Sequence, residues 1–241
     1  MGESLQAQAQ QFARSLSDLA SAFVGHAHPF VATTLGERIV IQSDAPISIA
    51  TTRRTLFSVT SRYRCTYDSA GQYLVVEDSE IKVFGGCQGK GDPLFRVEYV
   101  RDQASHLPCA HLHIHAHRDQ LSVAMAVAGT DGAERRTPKH GDDYMRGTRI
   151  SELHFPVGGH RFRPGLEDVL QWMVTEFGAS TGPTWPTVLS DRRVSYRRQQ
   201  TAAAVRDCPG EAVRVLREMG YAVEDPEGGP CGDRLTKLAA F

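Results

Sequence analysis

The sequence predicts an α+β protein with a mainly antiparallel sheet of about six to eight strands, an N-terminal helix, a covering helix at about 165–177 and C-terminal helices. Three patterns support this class. Apolar residues recur at helical spacing over residues 4–24, at a period of two between residues 38 and 100, and at helical spacing again over residues 165–177. We divide the chain into a sheet domain with its N-terminal helix, residues 1–180, and a helical appendage, residues 184–241, packed on the same domain.

Composition limits the class of protein further. The chain has 241 residues, 41% hydrophobic and 23% charged, with a net charge of -1, which excludes disordered, collagenous and strongly nucleic-acid-like compositions. Five widely spaced cysteines without a Cys-x-x-Cys pair predict reduced thiols. No apolar run approaches the ~20 residues that span a bilayer, and no signal peptide is evident. We expect a soluble, cytoplasmic protein with no membrane contact, and the preference for Arg over Lys is typical of a GC-rich bacterial genome.

The first helix and the strands follow from local patterns. Leu5, Phe12, Leu16 and Phe23 form one apolar stripe, and Gly25 ends it. Six runs rich in β-branched and aromatic residues then predict strands at 39–41, 47–49, 56–59, 73–76, 81–84 and 95–99. Polar or glycine-containing segments at 68–71, 77–79 and 85–86 predict the turns between them. Consecutive strands with short turns indicate an antiparallel meander.

The rest of the chain is less regular until residue 163. Residues 121–128 fit either a strand or a short buried helix, and the polar stretch 129–149 is either a lid or partner-contact loop or a solvated insertion. A short strand is predicted at 150–155. Pro164 and Gly178 then bracket the covering helix, and further helices are predicted at about 188–206 and 207–220, before a loose tail with a short terminal helix.

The strongest chemical signal is the run of alternating histidines His111, His113, His115 and His117. An extended strand places all four imidazoles on one face, about 7 Å apart, so two or three of them could bind one ion. A zinc site, or a site for another divalent transition metal, would need further ligands, for which Cys109 and His154 are the main candidates, with His106 and His160. We predict His113 and His115 as the catalytic residues.

The same segment resembles the histidine-triad motif, His-x-His-x-His followed by two apolar residues. In that family the middle histidine attacks the α-phosphate of a nucleotide conjugate, so the resemblance implies His113 as nucleophile, with His111 and His115 orienting it. The similarity covers this segment alone and departs from the motif at Ala116 and His117, where the motif has two bulky apolar residues.

A second cluster, His160, Arg161 and Arg163, lies around a glycine turn just before a predicted helix. Two arginines at a helix N-terminus suit an anion such as phosphate. The alternative is that the arginines are solvated or pair with Glu167 and Asp168. If the 150–155 strand neighbours the histidine strand, we expect the two clusters to form one site.

A third cluster consists of basic residues of the C-terminal helices: Arg192, Arg193, Arg197 and Arg198. A basic helix face can contact nucleic acid or a protein partner, although a solvated face is the default interpretation.

Two functions therefore remain open at the level of sequence. The first is a phosphoester or nucleotide hydrolase, working through a bound metal or a nucleophilic histidine on an unidentified small-molecule or nucleotide substrate. The second is a non-enzymatic regulatory or partner-binding module that uses the basic C-terminal helices. Four aligned imidazoles favour the first.

Overall fold

A computed structural model describes residues 4–50, 55–68, 71, 73–102, 108–115, 155–157 and 161–239. Helix α1 (Leu5–Val24) begins the fold and packs on an antiparallel sheet, and helices follow the sheet in the chain. Ser4 caps α1 by accepting a hydrogen bond from the backbone of Ala7, and Gly25 ends it in the left-handed conformation, with φ 78°. The predicted α+β class, with its N-terminal helix, is confirmed.

The described part of the chain contains eight strands, in agreement with the predicted six to eight. They are β1 (Phe30–Leu35), β2 (Arg38–Ser43), β3 (Ile47–Ala50), β4 (Thr55–Tyr67), β5 (Leu74–Gly85), β6 (Phe95–Val100), β7 (Ala110–Ile114) and β8 (Phe155–Pro156). The sheet order is β1-β2-β4-β5-β6-β7-β8, and β3 also pairs with β4. All of these pairings are antiparallel.

The prediction of a turn at residues 77–79 is wrong, because these residues continue one long strand, β5. The pairing of β4 with β5 shifts between Arg64 and Cys65, which leaves Glu77 as the extra residue of a β-bulge. The acidic side chains that indicate a turn bind arginines instead: Glu77 lies 2.6 Å from Arg38, and Asp78 pairs with Arg64. Strand β1 also lies outside the predicted strand region, which begins at Arg38.

The core lies between α1, one face of the sheet and helix α2 (Leu166–Phe177), the predicted covering helix. Leu19 and Phe23 of α1 meet Ile41 and Val59 of the sheet, and α2 contributes Leu170; all five are almost fully buried. Because these apolar side chains alternate with polar ones along each strand, the opposite face of the sheet carries mainly polar and charged residues.

Three further helices follow: α3 (Trp185–Asp207), α4 (Pro209–Glu218) and α5 (Leu235–Leu238). Trp185 packs edge-on against Phe23 with ring centroids 4.9 Å apart, and Leu189 joins the same core. The start of the C-terminal segment is thus anchored on α1. The domain boundary at residues 180–184 stays a prediction, and the predictions for residues 121–128 and 129–149 lie outside the described residues. No helix in the described ranges is long and apolar enough to cross a membrane.

Candidate metal centre

Strands β6 and β7 bring the candidate metal ligands together. In their antiparallel pairing Glu98 lies opposite His111, and Arg96 lies opposite His113. Paired residues project from the same side of a sheet, so these four side chains share one face. Val97, between Arg96 and Glu98, points to the other side and belongs to the hydrophobic core. The candidate site therefore lies on the sheet face turned away from α1 and α2.

Glu98, His111 and His113 form a compact group of ligand atoms. One nitrogen of each imidazole and one carboxylate oxygen all lie within 4.8 Å of one another. Both Nε2 atoms are 3.1 Å from Oε2 of Glu98, and the two rings pack edge to face with centroids 4.9 Å apart. The ligand atoms of a tetrahedral zinc ion, at about 2.0–2.1 Å from the metal, lie roughly 3.3 Å apart. The two nitrogen–oxygen distances are close to this spacing, so the group is compact enough to hold a metal ion.

The two histidines are buried and the carboxylate is charged. The side chains of His111 and His113 are 2% and 1% exposed, and that of Glu98 is 22% exposed. Burial opposes the ionisation of Glu98, but the hydrogen bonds from His111 and His113 and the charge of Arg96 outweigh it and hold the pKa of Glu98 well below its usual range. A negative charge beside two imidazoles is the composition that divalent transition metals prefer.

The second nitrogen of His111 fixes the orientation of its ring. Nδ1 lies 2.8 Å from the carbonyl oxygen of Pro108, which only accepts hydrogen bonds, so Nδ1 carries a hydrogen and donates it. Nε2 then faces the Glu98 carboxylate either through a proton or through a metal ion. Metal-binding histidines usually donate their other N–H to a carbonyl or carboxylate in this way.

Arg96 holds the Glu98 carboxylate in position. Its Nε atom lies 2.9 Å from Oε1 of Glu98, which leaves Oε2 facing the two histidines. Its Nη2 atom lies 3.5 Å from Nδ1 of His113, at the outer limit of a hydrogen bond, so this contact does not determine the tautomer of His113.

Of the other predicted ligands of this region, the two that the structure describes, His115 and Cys109, lie outside the group. His115 follows the end of β7, is half-buried and donates its backbone N–H to Leu94. Cys109 is buried in a small cluster with Tyr99 and Ala110, where burial raises the pKa of its thiol. His106, His117, His154 and His160 lie outside the described residues, so their predicted roles stay predictions.

The predicted anion cluster lies partly on the other side of the sheet. Strand β8 does pair with β7, with Pro156 opposite His111. The guanidinium carbon of Arg163, however, lies 3.6 Å from the ring centroid of Tyr99, which projects from β6 on the face opposite Glu98. Arg161 pairs with the buried carboxylate of Asp207 at 2.8 Å. Adjacency of the strands therefore does not bring Arg163 to the histidines, and anion binding by Arg161 and Arg163 stays a prediction.

The basic cluster of α3 divides into two pairs. Arg193 lies 3.3 Å from Asp168 in the first turn of α2, and Arg192 is half-buried. Arg197 and Arg198 are exposed. A role for these four arginines in binding nucleic acid or protein stays a prediction.

Glu98 is absent from the ligands predicted from sequence. The alternation of Arg96, Val97 and Glu98 already indicates a polar face on β6, which is the strand before the histidine strand. Spacing along the chain does not reveal which residue of β6 meets His111, because the connection between β6 and β7 leaves the register open.

Comparisons with protein-family models, with curated proteins and with solved structures give no match for this chain. The fold and the geometry of the Glu98/His111/His113 group are therefore the basis for assigning a function.

Proposed function

We propose that the protein is a metal-dependent hydrolase of phosphoester bonds, in which Glu98, His111 and His113 bind a divalent transition metal, with zinc the first candidate. The convergence of two imidazole nitrogens and one ionised carboxylate oxygen on the same small volume carries this proposal. Two histidines and one glutamate form a known type of catalytic zinc site, in which the fourth position is open to water or substrate.

The metal would supply the chemistry that the protein side chains lack. A divalent ion lowers the pKa of a bound water to about 7 and polarises a phosphoryl oxygen, so it can generate a nucleophile and stabilise charge in the transition state. Glu98, His111 and His113 would hold the ion, while Arg96 orients Glu98 and the Pro108 carbonyl orients His111.

The contacts of His113 favour a metal-assisted hydrolase over one with a nucleophilic histidine. Nε2 of His113 faces the Glu98 carboxylate at 3.1 Å, and Nδ1 faces the Arg96 guanidinium at 3.5 Å. A histidine nucleophile needs one ring nitrogen directed at the substrate phosphorus. We therefore assign His113 to the metal. His115, the next histidine in the chain, stays the candidate for proton transfer.

Metal analysis and activity of matched variants test this function. The untagged protein should retain close to one equivalent of zinc or another transition metal per chain, and the His111→Ala and His113→Ala variants should lose it. Hydrolysis of p-nitrophenyl phosphate should disappear in both variants and after treatment with a chelator, and should return when metal is added back to the wild-type protein.

His26→Ala is the matched control, because His26 is exposed at the end of α1, far along the chain from β7. It should keep both the metal and the activity. A wild-type protein that neither retains nor takes up a transition metal would contradict the proposal, provided that circular dichroism shows it to be folded.

A further inference from the structure

Next to the metal group, one row of side chains crosses three strands. Lys82 on β5 lies opposite Arg96 on β6, and Arg96 lies opposite His113 on β7. Neighbouring strands are about 4.8 Å apart, so the row spans roughly 10 Å and projects from the same face as Glu98. Two cationic groups thus extend from the metal group across the sheet.

The accessible side of the metal group is the side of this row. His111 and His113 are almost completely buried, whereas the side chains of Glu98, Arg96 and Lys82 are 22%, 26% and 30% exposed. Among these residues exposure increases from β7 toward β5. A substrate that reaches the metal from this direction passes over Arg96 and Lys82.

The four charged side chains of β5 and β6 nearest the metal group pair with one another and leave the charge of the metal uncompensated. Arg96 neutralises Glu98 at 2.9 Å, and Lys82 neutralises Glu80 at 2.8 Å. Glu80 is the cross-strand neighbour of Glu98. With both carboxylates balanced, a divalent ion between two neutral imidazoles keeps two positive charges, which match a phosphate dianion.

Lys82 and Arg96 also have donors to spare. An ammonium group has three N–H donors and a guanidinium has five, whereas the described carboxylate contacts of Lys82 and Arg96 are with Glu80 and Glu98 alone. Arginine and lysine beside a metal ion are common ligands for the oxygens of a transferring phosphoryl group.

We infer that Lys82 and Arg96 form a phosphate subsite beside the metal, so that the substrate is a phosphomonoester dianion whose phosphoryl oxygens bridge the metal and these two side chains. The inference rests on the proposed function, and it adds the substrate class and the direction from which the substrate enters. Arg96 also positions Glu98, whereas Lys82 touches no metal ligand in the described contacts. A substitution at Lys82 therefore tests the phosphate subsite without changing a contact of the metal ligands.

The test is binding of inorganic phosphate to the cobalt-loaded full-length protein. Cobalt(II) has a visible spectrum that changes when its ligands change, so one titration reports cobalt binding and a second reports phosphate binding. We expect Lys82→Gln to bind cobalt as tightly as the wild type but phosphate about tenfold more weakly. Lys82→Arg should restore most of the phosphate affinity.

Lys90→Gln is the matched control, since Lys90 is an exposed lysine of the loop between β5 and β6. It should change neither affinity. Equal phosphate binding by Lys82→Gln and the wild type, with cobalt bound in both, would overturn the subsite and leave the metal function intact. Failure of the wild type to take up cobalt would overturn the metal function and the subsite with it.

The substrate class has its own test. The zinc-loaded wild type should hydrolyse p-nitrophenyl phosphate faster than bis(p-nitrophenyl) phosphate, and Lys82→Gln should reduce this preference. A preference for the diester in the wild type would overturn the assignment of a dianionic substrate.

Discussion

Two carboxylates that folding withdraws from solvent, Glu98 on β6 and Glu167 in the first turn of α2, have pKa values shifted in opposite directions. Burial is the largest influence on both and by itself raises the pKa. Around Glu98 the hydrogen bonds from His111 and His113 and the charge of Arg96 reverse that effect. Around Glu167 a backbone hydrogen bond and the charges of Arg192 and Arg193 do not outweigh burial, and its pKa stays raised.

The difference lies in the donors that reach each carboxylate. Three nitrogen atoms lie 2.9–3.1 Å from the Glu98 oxygens. Glu167 is 3% exposed, and no Lys, Arg or His nitrogen pairs with its carboxylate in the part of the chain that the structure describes. Nearby Arg193 binds Asp168 instead. Burial alone therefore favours a neutral acid, and only converging donors produce the anion that a cation site requires.

The largest difference between the two carboxylates should appear when each charge is removed without changing the size of the side chain. Glu98→Gln should lower metal affinity by at least 100-fold and abolish phosphoester hydrolysis, because it removes the anionic ligand. Glu167→Gln should leave both unchanged, because Glu167 lies on the helix-covered side of the sheet. Zinc competition titrations and p-nitrophenyl phosphate assays of the two variants measure these effects, and equal losses in both would contradict the distinction.

A smaller effect should follow from loosening Glu98 while keeping its charge. Arg96→Met keeps much of the side-chain volume but removes the contact with Oε1, so the carboxylate is no longer held toward the histidines. We expect metal affinity to fall about 10- to 100-fold, as is usual when the residue that orients a ligand is lost. The same zinc competition titration measures it; an unchanged affinity would show that Glu98 does not need Arg96 to stay in position.

In the metal-free protein, the lowered pKa of Glu98 should appear as a loss of stability in acid. The folded-state pKa of Glu98 lies below its unfolded value of about 4.3, so its contribution to stability is complete above that value and is lost as the pH falls toward the folded pKa. Urea unfolding between pH 3 and pH 7 with a chelator should show that the stability difference between wild type and Glu98→Gln shrinks with falling pH. A difference that is constant over this range would rule out the lowered pKa.

The smallest effect is expected at Glu167. Its folded pKa is raised, so the folded state loses stability as the pH rises from the unfolded pKa through the folded one. Glu167→Gln removes this dependence and should raise the Tm by a few degrees near pH 7, with a smaller gain at pH 4. Thermal unfolding at the two pH values measures the effect, and a decrease in Tm at pH 7 would mean that Arg192 and Arg193 stabilise the ionised form more than burial opposes it.

Much of the fold was predictable because its signals are local. Ser4 and Gly25 mark the ends of α1, and Gly178 marks the end of α2. The alternation of His111, Leu112 and His113 correctly predicts a strand with imidazoles on one side and apolar residues on the other. The bulge at Glu77 was not predictable, since an acidic run has the composition of a turn, and the strand pairing and the arginine contacts of Glu77 and Asp78 involve residues distant in the chain.

Some features of the candidate site were likewise predictable from local sequence, and others were not. The pattern of residues is enough to predict that imidazoles share one face of β7 and that Arg96 and Glu98 share one face of β6, because side-chain direction in a strand depends on neighbours in the chain. The contact of Glu98 with His111 and His113, and the position of Arg163 on the other side of the sheet, follow from the three-dimensional fold. Strand register and the choice of face depend on contacts between distant parts of the chain, which periodicity does not encode.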